Sequence, residues 1–352
     1  MKVCVVNPNY YRSGGVTVTI RRIHEAVETQ GIDQYFVDCR YGDQEEDVDW
    51  MPEARLQSFR LMTKNPVLLF QQMSYFLRWL RENQIRVVHV HHRRLAALLH
   101  PFQGIANFRL IYTSHMNYPF EAWFWLLGPR LGVGISDSVA ANLRETVRAV
   151  QVETIRNPID FPDQCPLRLG GVSDPAVICI ARLDPVKGHT HLIQAWKMLS
   201  DRHITAKLIL VGEGSRKEAL LTQVRDNGLE HLVEFRGFQQ NIAIDLDRCV
   251  FAVLASKMEG HPAVVIEAAA HGLPTLVTDV PGSRECVPPG ATLPNLVPFG
   301  DAIAMADALS NWLEHPQSVV DEGRLFFDYH KARSSTSVTA QLYADLYRSC
   351  VK

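Results

Sequence analysis

Hydrophobic positions follow two alternating patterns along the chain. Short continuous apolar runs rich in β-branched residues fall at Val3–Val6, Tyr35–Cys39, Val87–His91, Leu110–Ser114 and Val133–Ser136. Stretches with helical spacing lie between most of them, beginning with Val16–Gln30. A strand buried on both faces reads as a continuous apolar run, so this pattern predicts a parallel sheet covered by helices on either side. The rhythm breaks at Asn157–Gly171 (NPIDFPDQCPLRLGG), where three prolines and two glycines interrupt helix and strand alike. It resumes with Ala176–Arg182, a helix from His189, Lys207–Val211, a helix from Ser215, Val233–Arg236, Val250–Ala255, a helix from Pro262 and Thr275–Thr278. From Asp301 the pattern is helical to the end, the last helix covering Ser335–Ser349. The expected fold class is α/β, with two Rossmann-like, doubly wound domains facing a central cleft where strand C-termini converge. Their expected limits are 1–160 for the first domain, 161–171 for a linker, 172–330 for the second domain, and 331–352 for a terminal helix able to pack back on the first.

Composition narrows the function. A length of 352 residues suits two domains, and 47% hydrophobic with 21% charged residues excludes a disordered or fibrous chain. Lys plus Arg (36) against Asp plus Glu (38) leaves −2, so no global positive field recruits nucleic acid. The seven cysteines are scattered without zinc spacing, which points to a reducing, cytoplasmic setting with neither disulfides nor structural zinc. The N-terminal apolar run reads as a strand rather than a signal peptide, and no stretch approaches the roughly 18 apolar residues of a membrane span.

The most informative segment is Glu259–Gly272, EGHPAVVIEAAAHG. Pro262 suits the first position of a helix, which would leave the N–H groups of Ala263, Val264 and Val265 open as an anion site. Gly260 would let a ligand approach the backbone closely. Glu267 lies inside the helix among apolar neighbours, where a vicinal diol would satisfy its carboxylate; the plainer readings make Glu267 a surface charge and Glu259 a solvated loop residue. In Ala181–Gly188, ARLDPVKG, Arg182 ends a strand and Lys187 stands five residues on, before the next helix. Two cations at a βα turn suit a diphosphate, Arg gripping two oxygens and Lys supplying a point charge. Val211–Ser215, VGEGS, places Gly212 and Glu213 in a strand–turn–helix that resembles part of a phosphate turn without the full glycine motif.

ARLDPVKG, LILVGEG, VEFRGF and EGHPAVVIEAAAHGLPTLVTDVPG, in this order, resemble the C-terminal half of family 4 retaining glycosyltransferases of the GT-B fold. Glu259 and Glu267 match that family's E-x7-E signature. In the first half, Ser13–Gly14–Gly15 is similar to its glycine loop, Ser114–His115 to the strand end that carries a donor-facing histidine, and Gly134–Asp137 and IRNPID to the end of its N-terminal domain. His261 stands where the family has an aromatic, Pro158 where it has a glycine, and Met116 where it often has an acid.

The resemblance implies a nucleotide-sugar donor and a glycan or glycolipid acceptor, in polysaccharide or lipopolysaccharide synthesis, without a metal or other cofactor. Arg182 and Lys187 would bind the diphosphate. Glu267 would take the ribose hydroxyls, and Glu259 with Gly260, His261, Pro262, Ala263 and Val264 would hold sugar and phosphate. Gly212 and Glu213 belong to the same set, Arg236 and Gly237 would border the base, and His115, Gly14 and Gly15 would reach the sugar and leaving phosphate. The catalytic set is thus His115, Arg182, Lys187 and Glu259. A nucleotide-sugar 2-epimerase and a catalytically silent nucleotide-sugar-binding subunit are the rival readings on the same architecture.

Other candidates read as bland. Asp47–Asp49 and Asp245–Asp247 are chance matches to a metal-binding D-x-D. His89 and His91 share a strand face, and with His92 they read as a polar strand-end rim. His24, His189 and His231 read as packing or surface positions. Tyr118–Leu127, YPFEAWFWLL, reads as a core helix, the sharper alternative being an acceptor platform or membrane-facing edge. Arg55, Arg60, Lys64, Arg78, Arg81 and Arg86 around Val67–Leu80 suit a basic amphipathic helix on the anionic inner face of the cytoplasmic membrane.

Overall fold

The continuous apolar runs become the strands of two parallel sheets, because only a strand covered on both faces tolerates so few polar positions. The computed structural model describes residues 1–10, 15–39, 50–147, 151–166 and 175–351. They form two units, one of Met1–Pro158 with Thr336–Lys352 and the other of Ile159–Ser335.

In the first unit the strands are β1 (Lys2–Asn7), β2 (Asp33–Asp38), β3 (Leu56–Ser58), β4 (Val87–Val90), β5 (Arg109–Ser114), β6 (Leu131–Gly134) and β7 (Gln151–Thr154), in the order β3-β2-β1-β4-β5-β6-β7. The helices are α1 (Gly15–Glu28), α2 (Pro66–Glu82), α3 (Arg93–Leu99), α4 (Gln103–Ala106), α5 (Ala122–Leu127) and α6 (Asp137–Thr146). In the second unit β8 (Ala176–Ile180), β9 (Lys207–Val211), β10 (Val233–Gly237), β11 (Phe251–Leu254), β12 (Thr275–Thr278) and β13 (Leu296–Val297) lie in the order β10-β9-β8-β11-β12-β13. Its helices are α7 (His189–Asp201), α8 (Lys217–Asp226), α9 (Ala243–Asp247), α10 (Ala263–Ala270), α11 (Pro281–Arg284), α12 (Ala302–Glu314) and α13 (Pro316–Ser334); α14 (Thr336–Ser349) belongs to the first unit. All pairings are parallel, with Val3 of β1 in register with Gln34 on one side and Val87 on the other. Each sheet is therefore a doubly wound, Rossmann-like array whose order reverses at one point, β1/β4 in the first unit and β8/β11 in the second.

The structure departs from the sequence pattern at the edges. β3, β7 and β13 are short edge strands with half-exposed side chains, so they lack the apolar run that announces an inner strand. The helical tail is three helices, broken at Pro316 and again at Ser335, where Ile159 and Ser335 form a parallel bridge. Within the expected linker, 161–166 is seated on the second unit. Phe161 packs edge-on against Phe327 at 5.4 Å, and the Lys331 ammonium donates to the carbonyls of Pro162 and Asp163; residues 167–171 lie outside the described residues. The last helix lies against α1, and its Tyr343, Ala344, Leu346 and Tyr347 share a core with Val3, Ile23, Val27 and Ile111. Among the described residues no helix is long and apolar enough to cross a membrane.

Candidate functional site

In the second unit the turns that follow β8, β9, β10 and β11 are locked together by backbone contacts. Gly188 has φ +70, and a Cβ there would meet the Ala255 carbonyl oxygen at 1.9 Å. The neighbouring Lys257 N–H donates to Val186 O at 2.8 Å. Glycine is thus required where the β8 turn crosses the exit of β11. The β9 turn is held to its neighbours in the same way, by Leu183 N–H to Glu213 O (2.9 Å) and Gly212 N–H to Gly237 O (2.8 Å).

This framework brings Lys187 and Glu259 together from opposite sides of the strand-order reversal, 72 residues apart in sequence. Lys187 Nζ lies 2.7 Å from Glu259 Oε1, with side-chain exposures of 20% and 11%. Glu259 is accordingly a half-buried ion-pair partner rather than a solvated loop residue. Arg182, at the end of the same strand, is 71% exposed and pairs with Asp184 at 2.6 Å. The two cations of ARLDPVKG therefore have different partners: Lys187 pairs with Glu259 in a half-buried setting, and Arg182 pairs with Asp184 at the surface.

The α10 start differs from its prediction. Pro262 is the cap rather than the first helical residue, and Val265 N–H is already bonded to Pro262 O at 3.1 Å. Ala263 and Val264 therefore carry the N–H groups at the helix mouth, where the dipole favours an anion. The Glu259–Gly260 carbonyls rest on Gly282, whose Cβ would come within 2.5 Å of both. Glu267 is half-buried midway along α10, and His261 and Pro262 are buried beside its entrance. Arg236 turns its guanidinium to Asp245 (3.2 Å) and Glu234 (3.1 Å), so the Asp245–Asp247 string serves an ion pair within the fold. Gly237 has φ +67 and lies beside the Glu213 carboxylate, 2.9 Å from where a Cβ would stand.

In the first unit, the glycine loop lies largely outside the described residues, Gly14 included, and Gly15 opens α1. His115 follows β5 and comes within hydrogen-bond distance of His91, which follows β4: His91 Nδ1 to His115 Nε2 is 3.0 Å. The expected polar rim of His89, His91 and His92 is not what forms. His89 is wholly buried, its Nδ1 2.8 Å from Tyr347 Oη of α14 and its Nε2 2.7 Å from Thr113 Oγ1. Loss of hydration pulls the pKa of His89 down to about 3 and that of His115 down to about 4, and holds His91 well below the usual histidine value. No sequence periodicity announces these partners, because they come from three elements. Further along, Ser136 caps α6 and Arg156 pairs with Asp137 at 2.7 Å, tying two of the family-like motifs together. His24 and His189 are buried, whereas His231 is exposed. Among the described residues no group of three His, Cys, Asp or Glu side chains is placed to hold a metal ion. Asp47–Asp49 lies outside the described residues.

The YPFEAWFWLL segment contradicts the core-helix reading. Of α5, Phe124 is buried, but Trp123 (39%), Trp125 (38%), Leu126 (63%) and Leu127 (44%) are exposed, as is Phe120 just before it. A six-residue helix has room for one inward side chain per turn, and Phe124 takes that place against Tyr112. Arg93 stacks on Tyr118 at 4.6 Å and pairs with Glu121 at 3.1 Å, fixing the helix entrance.

Comparison with known proteins agrees with this architecture. The family described as Glycosyl transferases group 1 matches residues 174–315, and Glycosyltransferase Family 4 matches residues 13–161. The N-acetylgalactosamine-N,N'-diacetylbacillosaminyl-diphospho-undecaprenol 4-alpha-N-acetylgalactosaminyltransferase of Campylobacter jejuni is 31% identical over 168 residues, 46% of this chain and 45% of that one. The N-acetyl-alpha-D-glucosaminyl L-malate synthase of Bacillus anthracis is 33% identical over 135 residues, 38% of this chain and 35% of that one. The chain thus matches less than half the length of these curated relatives. The crystal structure of Anabaena HepE in complex with UDP superposes with a TM-score of 0.83 at 18% identity, covering 99% of this chain and 100% of that one. Two Rossmann-like units, both halves matched by family descriptions, and a full-length likeness of fold lead to one conclusion: the chain belongs to glycosyltransferase family 4, the group 1 glycosyltransferases, and has the GT-B fold.

Proposed function

We propose that this protein is a retaining glycosyltransferase that moves a sugar from a nucleoside-diphosphate donor to a glycan or glycolipid acceptor, with no metal ion. The observation that carries the reading is the 2.7 Å Lys187–Glu259 pair at the strand-order reversal of the second unit, beside the mouth of α10. In doubly wound folds nucleotides bind at that reversal, and a helix N-terminus favours phosphate.

On this reading the diphosphate takes the place of Glu259 as partner of Lys187, while Arg182 leaves Asp184 to grip a second oxygen. Glu267 accepts from the ribose hydroxyls, and Glu259 turns to the sugar. His115 offers a neutral ring nitrogen to a sugar hydroxyl. The reaction breaks the bond between the anomeric carbon and the diphosphate oxygen and forms a bond from the acceptor oxygen on the same face. The acceptor proton passes to the departing diphosphate. Charge grows on the diphosphate as that bond breaks, and preorganised cations and N–H groups lower the barrier at that point. The two carboxylates are binding groups here, unlike the acid and nucleophile of a retaining hydrolase.

The relatives' names frame the substrates. HepE was crystallised with UDP, which makes UDP-sugars the first donors to test. The Campylobacter enzyme is named for a diphospho-undecaprenol substrate and the Bacillus enzyme for L-malate, so lipid-linked and small acceptors both occur among them. We favour a lipid-linked acceptor at the inner face of the cytoplasmic membrane, since α5 and the start of α2 present exposed apolar side chains, Phe70 at 77% among them. A thermal-shift panel of UDP-, GDP- and ADP-sugars tests the donor: one family should raise the melting temperature, and no shift with any of them counts against the reading. Incubation with that donor and an acceptor mixture, followed by NMR of the anomeric proton, should show the donor's configuration kept. Inverted product overturns the retaining assignment, and EDTA should leave the rate unchanged.

A further inference from the structure

The buried histidines of the first unit are unusual in position. His89 of β4 and His91 just after it have their rings 4.3 Å apart, and His91 reaches across to His115, which follows the neighbouring β5. Behind them, His89 is fixed at both nitrogens, by Tyr347 of α14 and by Thr113 of β5. The chain of contacts Tyr347–His89–His91–His115 thus runs from the C-terminal helix to the strand end.

A hydrogen bond between two neutral imidazoles requires one ring to donate and the other to accept, so the tautomers of His91 and His115 are coupled: both carry the proton on Nδ1, or both carry it on Nε2. Because His115 uses Nε2 on His91, its Nδ1 is the nitrogen left for a substrate hydroxyl. The His89 ring, packed on His91 and itself bonded at both nitrogens, blocks rotation of His91. Resting on the donor-sugar role of His115 proposed above, we propose that His91 is a positioning residue that fixes the ring orientation of His115 and couples its tautomer to that of His91 during sugar transfer. Neither residue's own neighbours in sequence reveal this, since the pair forms only through the β4–β5 register that sets His89 opposite Ile111.

The test begins with the unaltered protein. Nitrogen-15 NMR of the imidazoles at neutral pH should show His91 and His115 neutral and in matching tautomers, both Nδ1–H or both Nε2–H; opposite tautomers overturn the proposal without any variant. His91→Leu should then lower kcat by about 10- to 100-fold with the donor KM changed less than about threefold, since misplacing a contact group costs turnover more than ground-state binding. His91→Asn keeps a polar group near the position of Nδ1 and should recover most of the loss. In the background of His115→Ala, His91→Leu should add little, because the first change has already removed the group being positioned. Full turnover in a folded His91→Leu protein, or additive losses in the double variant, overturns the proposal. The two readings fail separately: if His115→Ala itself is fully active, the sugar-facing role of His115 falls, whereas a damaged His115→Ala beside a normal His91→Leu leaves that role standing and removes the positioning.

Discussion

The two units reverse strand order at equivalent places, β1/β4 and β8/β11, and line those places with opposite chemistry. The second unit gathers ions there: Lys187 on Glu259, Arg182 on Asp184, and a helix mouth beside them. The first gathers neutral rings, the buried His89 and His91 and the half-buried His115, bonded to one another or to hydroxyls. One sheet architecture therefore supplies both a charged cradle and an uncharged hydrogen-bonding surface. Topology fixes where a ligand can sit, and the side chains at the strand ends decide what kind.

The largest effect expected from breaking this contrast is at Lys187. Lys187→Ala should cut kcat by on the order of 10²–10³-fold, as removal of a preorganised charge-stabilising group does in other enzymes, while Lys187→Arg recovers only part. Steady-state kinetics with the donor identified by thermal shift checks this, and unchanged turnover removes the diphosphate assignment. Next is the framework under it. Gly188→Ala adds a Cβ that would stand 1.9 Å from Ala255 O at a left-handed φ, so the second unit should lose on the order of 3 kcal/mol, read as a lower melting midpoint. The equivalent Gly15→Ala in the first unit meets nothing within 4 Å and should be nearly neutral in stability.

Acid acts on both units, through His89 in the first and His189, held down at about 4 by burial, in the second. His89 titrates at about 3 in the folded protein against about 6.5 when unfolded, so the native state binds fewer protons. Its contribution to stability is intact above pH 6.5 and is lost progressively as pH falls from there towards about 3. Hydrogen exchange should show β4 and β5 opening first between pH 6 and 4, and His89→Gln should flatten that dependence. The smallest effect concerns the surface. Trp123→Ala with Leu126→Ala should weaken flotation with anionic liposomes by about three- to tenfold and leave turnover on a water-soluble acceptor unchanged, and equal flotation removes the membrane-facing role of α5.

Much of this was legible in the chain itself. The inner strands could be placed because burial on both faces forces continuous apolar runs, and EGHPAVVIEAAAHG with ARLDPVKG marked two of the turns at strand ends because glycine, proline and paired charges are costly elsewhere. The edge strands β3, β7 and β13 were not legible, since a half-exposed strand leaves no such run. The exposed face of α5 was misread because a short aromatic string looks the same whether one or all of its rings are buried. The helix start at Pro262 was displaced by one residue, a difference set by where its carbonyl accepts from Val265.

By itself the sequence determined the alternation of strand and helix and the residue types carried at the strand ends, because these depend on local periodicity and on chemistry carried by single residues. Only the tertiary structure decided which charges meet. Lys187 found Glu259 rather than a neighbour, Arg236 found Asp245, and His91 found His115, because each pair is made by strand register and close backbone packing between segments far apart in the chain.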